Sequence, residues 1–310
     1  MLKPSVLWIS LLLALITSTT LASEPQVVAT IKPIHALVSG VMEGVGTPYL
    51  LLSGGESPHA YSLQPSQVRR LHAANLVVWV GPTVEAFLEK TLTSLSDKTQ
   101  IIRLIEVPEL TLLKVREGDA WKTHPHKPDH DDSHPTQFDI DPHIWLDPNN
   151  AIILVQAIAQ TLMKMDTNNA ARYQANATRL VEQLVQLNQS LKQQLAPFKE
   201  LSYLVFHDAY QYFEHRYQLA AMGAITLSPE NRPSVKQMYQ LRRTLKSQQI
   251  RCVFSEPQFE SALVATVIEG TPAQRGVLDP LGAELAAGTD SYFLLLRNMA
   301  HSLKQCLSGQ

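Results

Sequence analysis

The sequence predicts an α/β protein made of two α/β lobes with mostly parallel sheets, joined by one long rigid helix. Short β-rich runs alternate with amphipathic segments early in the chain, and a second such series occupies its last third. Alternation of that kind describes βα units around a parallel sheet. Between the two series, the segment 168–196 carries apolar residues at 173, 177, 180, 184, 187, 191 and 195. Spacings of three and four throughout describe one face of a single helix. At 1.5 Å per residue it runs for about 40 Å, more than a crossover inside one small domain needs.

The elements follow in order. Residues 1–22 have a lysine, an apolar run from Val6 to Ile16 and small residues up to Ala22, the pattern of a secretory signal peptide. The run is shorter than the roughly 20 residues of a membrane span. About 288 residues remain, and at ~100–200 residues per domain they suggest two domains, each with a core of its own. The N-terminal lobe, 23–167, has strand candidates at 27–31, 49–53, 76–81 and 100–104. It also contains a polar, Pro-rich and His-rich loop at 117–137 with no hydrophobic period. The linking helix takes 168–197. The C-terminal lobe, 198–310, has strand candidates at 203–207, 252–256 and 275–279 and a helix at 234–248. No internal repeat is evident.

Net charge is −2, with both signs mixed along the chain. That leaves no electrostatic footprint for nucleic acid or an anionic membrane. The two cysteines, Cys252 and Cys306, suit a single disulfide in an exported protein, the alternative being two buried thiols. Such a bridge would restrict the unfolded chain by about 4 kcal/mol at most and pin the last helix to its lobe.

Ligands of open α/β sheets bind at the carboxyl ends of strands. There LLSGGESPHAY places His59, DPHIWLDP places His143, VFHDAY places His207 and VLDPLG places Asp279. Any one of these histidines alone is ordinarily a hydrogen-bonded structural residue. Three imidazoles, with or without a carboxylate, form the donor set that Zn2+ takes in tetrahedral geometry, whereas Ca2+ and Mg2+ prefer oxygen. Asp208 and Glu256 are candidates to orient the ligand histidines, Asp208 equally to cap a helix. His35, His72, His215 and His301 suit structural roles, and Trp79, Trp121 and Trp145 suit the core or the cleft wall.

The motifs GGESPHAYSLQPSQVRRLHAANLVVWVGP, HIWLDP, VFHDAYQYFE, CVFSEPQF and VLDPLG, with the acidic His-rich loop between the first two, resemble in order and separation the ZnuA family, the periplasmic zinc receptors of bacterial ABC importers. The resemblance extends over essentially the whole mature chain. It implies two lobes linked by a backbone helix, one Zn2+ between them, a disulfide at Cys252 and Cys306, and delivery to an ABC transporter permease in the inner membrane by a monomeric receptor in the periplasm. Carried over position by position, the zinc-binding histidines are His59, His143 and His207. Some relatives have a glutamate directly before the first ligand, but Pro58 stands there and Glu56 lies three residues upstream. The fourth ligand is then either Asp279, whose motif serves manganese-binding cousins, or water. Those cousins replace the third histidine with a carboxylate, so His207 favours zinc.

The loop supplies His124, His126, His130 and His134. Ordering it costs about 1–2 kcal/mol per residue, which suits an accessory role in capturing or sensing zinc, or only incidental affinity. A zinc hydrolase would need an open coordination position and a placed base such as His-Glu-x-x-His, and no such pair occurs. A receptor is the expectation, with a zinc hydrolase and a manganese-binding receptor or adhesin of the same family as alternatives. Three imidazole ligands also imply a metal affinity that falls below about pH 6.5.

Overall fold

The computed structural model describes residues 24–116, 139–226, 233–259 and 262–309. It contains two four-stranded sheets, each wholly parallel. In the first, β1 (Val27–Ala29), β2 (Tyr49–Leu50), β3 (Leu76–Trp79) and β4 (Gln100–Arg103) lie in the order β2-β1-β3-β4. In the second, β5 (Tyr203–His207), β6 (Ala221–Thr226), β7 (Cys252–Ser255) and β8 (Gln274–Val277) lie in the order β6-β5-β7-β8. The lobes therefore repeat one topology, although their sequences show no repeat.

Helices cover both faces of each sheet, which is why the central strands β1, β3, β5 and β7 are buried along their whole length instead of alternating, while the edge strands β4 and β8 are more exposed. Strand pleat divides each between two cores. From β3, Leu76 and Val78 face inward while Val77 and Trp79 face an outer cluster with Leu71; from β5, Tyr203 and Val205 face inward while Leu204 and Phe206 face another with Val264. The inner cluster is common to both lobes. It runs from Ile34 and Val78 through Leu184 and Leu187 to Tyr203, Phe254 and Tyr292. Two separate cores were expected; instead the inner halves merge around the central helices, and only the outer halves are private.

Those central helices are α1 (Lys32–Val41), α5 (Pro148–Met165), α6 (Ala170–Leu195) and α10 (Asp290–Leu307); between α1 and α5, the first lobe also has α2 (Pro65–His72), α3 (Pro82–Glu85) and α4 (Glu89–Leu92). The apolar positions foreseen on α6 are all buried. A Cβ at Gly40 on α1 would stand 2.8 Å from Leu180 Cδ2, so glycine there permits the close approach of α1 to α6. The sequence reading did not separate α5, which forms an antiparallel hairpin with α6, nor β6, whose AMGAIT is weakly β-forming. In the second lobe α7 (Gln211–Tyr217), α8 (Val235–Ser247) and α9 (Ala262–Ile268) complete the cover. Cys252 and Cys306 are bonded, joining the start of β7 to α10. Among the described residues no helix is long and apolar enough to cross a membrane. The expected signal peptide, Trp121 and the loop histidines lie outside the described residues.

Candidate metal centre

His59, His143 and His207 come together from three separate segments, with one ring nitrogen of each within 4.8 Å of the others. Their ring centroids are 5.4 to 6.0 Å apart. They form the one such group of metal-ligating side chains among the described residues.

His207 ends β5, the first strand of its lobe, whose neighbours β6 and β7 lie on opposite sides. Chain connections diverge there, leaving a crevice at the strand ends. Across it, directly after β7, stands Glu256, which is 3% exposed. Its Oε1 accepts from the His207 backbone N–H at 3.3 Å and from Nδ1 at 2.7 Å. That fixes the proton on Nδ1 and the lone pair on Nε2.

His143 is arranged in the same way. Asp141 Oδ1 accepts its backbone N–H at 2.9 Å and its Nδ1–H at 2.8 Å. Burial pushes the His143 imidazole down to about 3, assisted by His207 and Arg116, so the free protein holds a neutral ring. Burial also pushes the Asp141 carboxyl up to about 7, against the opposing effect of the His143 amide and Arg116. The remainder of HIWLDP locks this segment. Trp145 Nε1 donates to Pro280 O at 2.8 Å. Asp147 caps α5 by accepting from Asn149 N at 2.8 Å, and receives Arg216 through two bonds of 2.7 Å.

His59 is only half-buried and sits on a short 3-10 turn whose cap, Ser57 Oγ, accepts its N–H at 3.3 Å. The loop bearing it is tied at the base by buried Gln67, which donates to Leu51 O at 2.7 Å and accepts from Tyr61. The candidate ligand set thus consists of two buried, carboxylate-held imidazoles and one on a more accessible loop. The cavity they line leaves the centre of a water-sized sphere only about 10 Å³ in which to move, room for an ion and very few waters.

The family model described as "Zinc-uptake complex component A periplasmic" matches residues 27–306. The chain belongs to the ZnuA family. The high-affinity zinc uptake system protein ZnuA of Brucella suis biovar 1 (strain 1330) is 42% identical over 96% of this chain and 97% of the relative. That of Yersinia pestis is 37% identical over 99% and 98%. A crystal structure of a ZnuA deletion mutant with zinc bound superimposes with a TM-score of 0.75 at 25% identity, covering 92% of this chain and 99% of the other.

Asp279 does not join the ZnuA-type cluster. Its Oδ1 accepts from Leu281 N, Gly282 N and Gln258 Nε2 at 2.9 to 3.0 Å, and its Oδ2 from Ala283 N at 2.6 Å. Reaching a metal would mean leaving three backbone amides. Among the described residues Asp208 is bonded to Arg116, which also holds Glu214 at 2.7 Å, and α7 has no side-chain cap. Glu256 does orient His207. Asp141 was missed, although its place two residues before His143 in DPH was the available signal. His35 is structural, with Nε2 3.1 Å from Pro48 O. Trp79 packs in an outer core, and Trp145 both fills the core and lines the cavity.

Proposed function

We propose that this protein is a periplasmic zinc receptor that captures Zn2+ between its lobes and delivers it to the permease of an ABC transporter. The observation that carries this is the set of three imidazole nitrogens contributed by both lobes, two with their tautomer fixed by a buried carboxylate. Three nitrogen donors within 4.8 Å of one another suit the tetrahedral shell of Zn2+ better than they suit oxygen-seeking cations. Membership of the ZnuA family and the zinc-uptake names of its relatives support the same cargo and the periplasmic location.

Capture uses the asymmetry of the ligands. His143 meets the ion already neutral, and both it and His207 meet it already oriented by a carboxylate, so little ordering entropy opposes them. His59, on the more exposed loop, is the ligand best placed to arrive last and leave first. A hydrolase would need room for a substrate beside the metal, and the small cavity argues against it.

Calorimetry and competition with a chelating dye test the proposal on the mature protein. One tight Zn2+ site is expected, weakened at least 100-fold by H143A or H207A. Retention of tight binding in these variants, or tighter binding of Mn2+ than of Zn2+, would overturn it.

A further inference from the structure

The turn after β7 places three residues against the site. Glu256 holds His207; Phe259 stands with its ring centroid 6.1 Å from that of His207; and Gln258 lines the same cavity. The backbone closes this turn with Phe259 N–H donating to Glu256 O at 3.3 Å. The Gln258 amide is oriented from outside, because its Nε2 donates to Asp279 Oδ1 at 2.9 Å. The reverse orientation would set two oxygens against each other, so Asp279 decides which end of the amide remains on the other side. That end, Oε1, is buried and has no hydrogen-bond partner among the described residues. A buried carbonyl oxygen left so is costly and calls for a donor.

We propose that Gln258, oriented by Asp279, accepts a hydrogen bond from a water molecule that fills the fourth position on the captured ion. This rests on the receptor function proposed above and goes beyond it. Three imidazoles leave one place in a tetrahedral shell, and among the described residues no carboxylate joins them, Asp279 being retained by Leu281, Gly282 and Ala283. A metal-bound water is a strengthened donor and satisfies the Gln258 oxygen. An anion in the same place can only accept and meets the negative end of the amide dipole. Gln258 therefore selects a neutral, donating fourth ligand, and Asp279 acts through it as a positioning residue without touching the metal.

The test uses the mature protein loaded with Co2+, whose visible absorption reports the coordination shell, in chloride-free buffer with chloride then titrated in. Q258L and Q258M remove the acceptor while keeping bulk. They are expected to bind chloride about tenfold more tightly than wild type and Zn2+ about three- to tenfold less tightly, the scale of one such hydrogen bond. Variants whose Zn2+ affinity falls while chloride affinity stays at the wild-type value would show a merely structural residue and overturn the proposal. Spectra insensitive to chloride in all three proteins would do the same, by showing no exchangeable ligand. If wild type binds neither Co2+ nor Zn2+, the receptor function itself fails, a result distinct from either.

Discussion

Replacing Glu256 with glutamine separates what this carboxylate does for the metal from what it costs the fold. Glutamine preserves the shape and an acceptor oxygen but removes the charge, so the 2.7 Å bond from His207 Nδ1 becomes a neutral one. Charge-assisted bonds contribute about 1.5–3 kcal/mol and neutral ones about 1. The difference, ~0.5–2 kcal/mol, should weaken zinc binding about 2- to 30-fold, overlapping the lower part of the usual range for such supporting groups. The free protein should respond in the opposite sense. Among the described residues no Lys or Arg pairs with Glu256, whose partners are His207 and the Tyr210 hydroxyl, and removing a buried charge that lacks a fixed cation is neutral or stabilising. E256Q should therefore melt at or above the wild-type temperature in chelator while losing in competition with a zinc dye. Equal zinc affinity in the two proteins would refute the reasoning. A lower affinity accompanied by a matching fall in the melting temperature would assign Glu256 to the fold instead.

Other consequences are as direct. The His143 imidazole of the zinc-free protein should still be neutral at pH 5, because burial holds it down to about 3; an NMR titration in which that ring takes up a proton between pH 7 and 5 would contradict the burial argument. Reducing the Cys252–Cys306 bridge, which spans 54 residues, should destabilise the protein by up to about 4 kcal/mol in denaturant melts. Zinc affinity should hardly change, since the bridge lies at the end of β7 remote from Glu256. Leu184→Ala, at a fully buried position of α6, should cost about 2–5 kcal/mol. Val185→Ala, where the side chain is 40% exposed, should change stability by less than about 0.5 kcal/mol.

The parts of this architecture that were legible in the sequence are those where local pattern and tertiary demand coincide. YLVFH at 203–207 becomes a strand of the same bounds, because every side chain is buried on a parallel sheet. The face of α6 was legible because a helix this long leaves little ambiguity of period. β6 was not, since Ala, Met and Gly carry little β preference and the strand owes its state to pairing with β5. At the metal centre, the histidines stood out by residue type and by position after strands. Their carboxylate partners were harder to assign. Asp208 and Glu256 look alike in sequence, yet only Glu256 meets a ring, because the crevice between β5 and β7 faces it toward His207 while Arg116 takes Asp208. Asp279 was placed correctly at a strand end, but its competing amides come from the loop that follows, whose curl no linear pattern reveals.

The shared inner core bears on how an ion enters and leaves. Swinging the lobes apart would expose side chains packed between them, such as Trp145, Tyr210, Leu281 and Tyr292, all in the common cluster. Uncovering even ~400 Å² of apolar surface costs about 10 kcal/mol at ~25 cal/mol/Å², nearly the whole binding free energy of a nanomolar site. Lys32 adds a further tie: its Nζ donates from α1 to Ala283 O and Leu285 O of the second lobe, each at 2.8 Å. The loop bearing His59 is held at its base, where Leu52 is buried and Gly54, with a φ of +109°, lies against Lys32 and Ala283; beyond that it is looser, since a Cβ on Gly55 would meet nothing within 4 Å and His59 is half-buried. Exchange of the ion should therefore move this loop and leave the central helices in place. Hydrogen exchange compared with and without zinc should show protection gained around residues 52–61, with α6 and α10 unchanged. Equal gains along α6 would mean that the lobes part after all, and that the merged core is weaker than its burial implies.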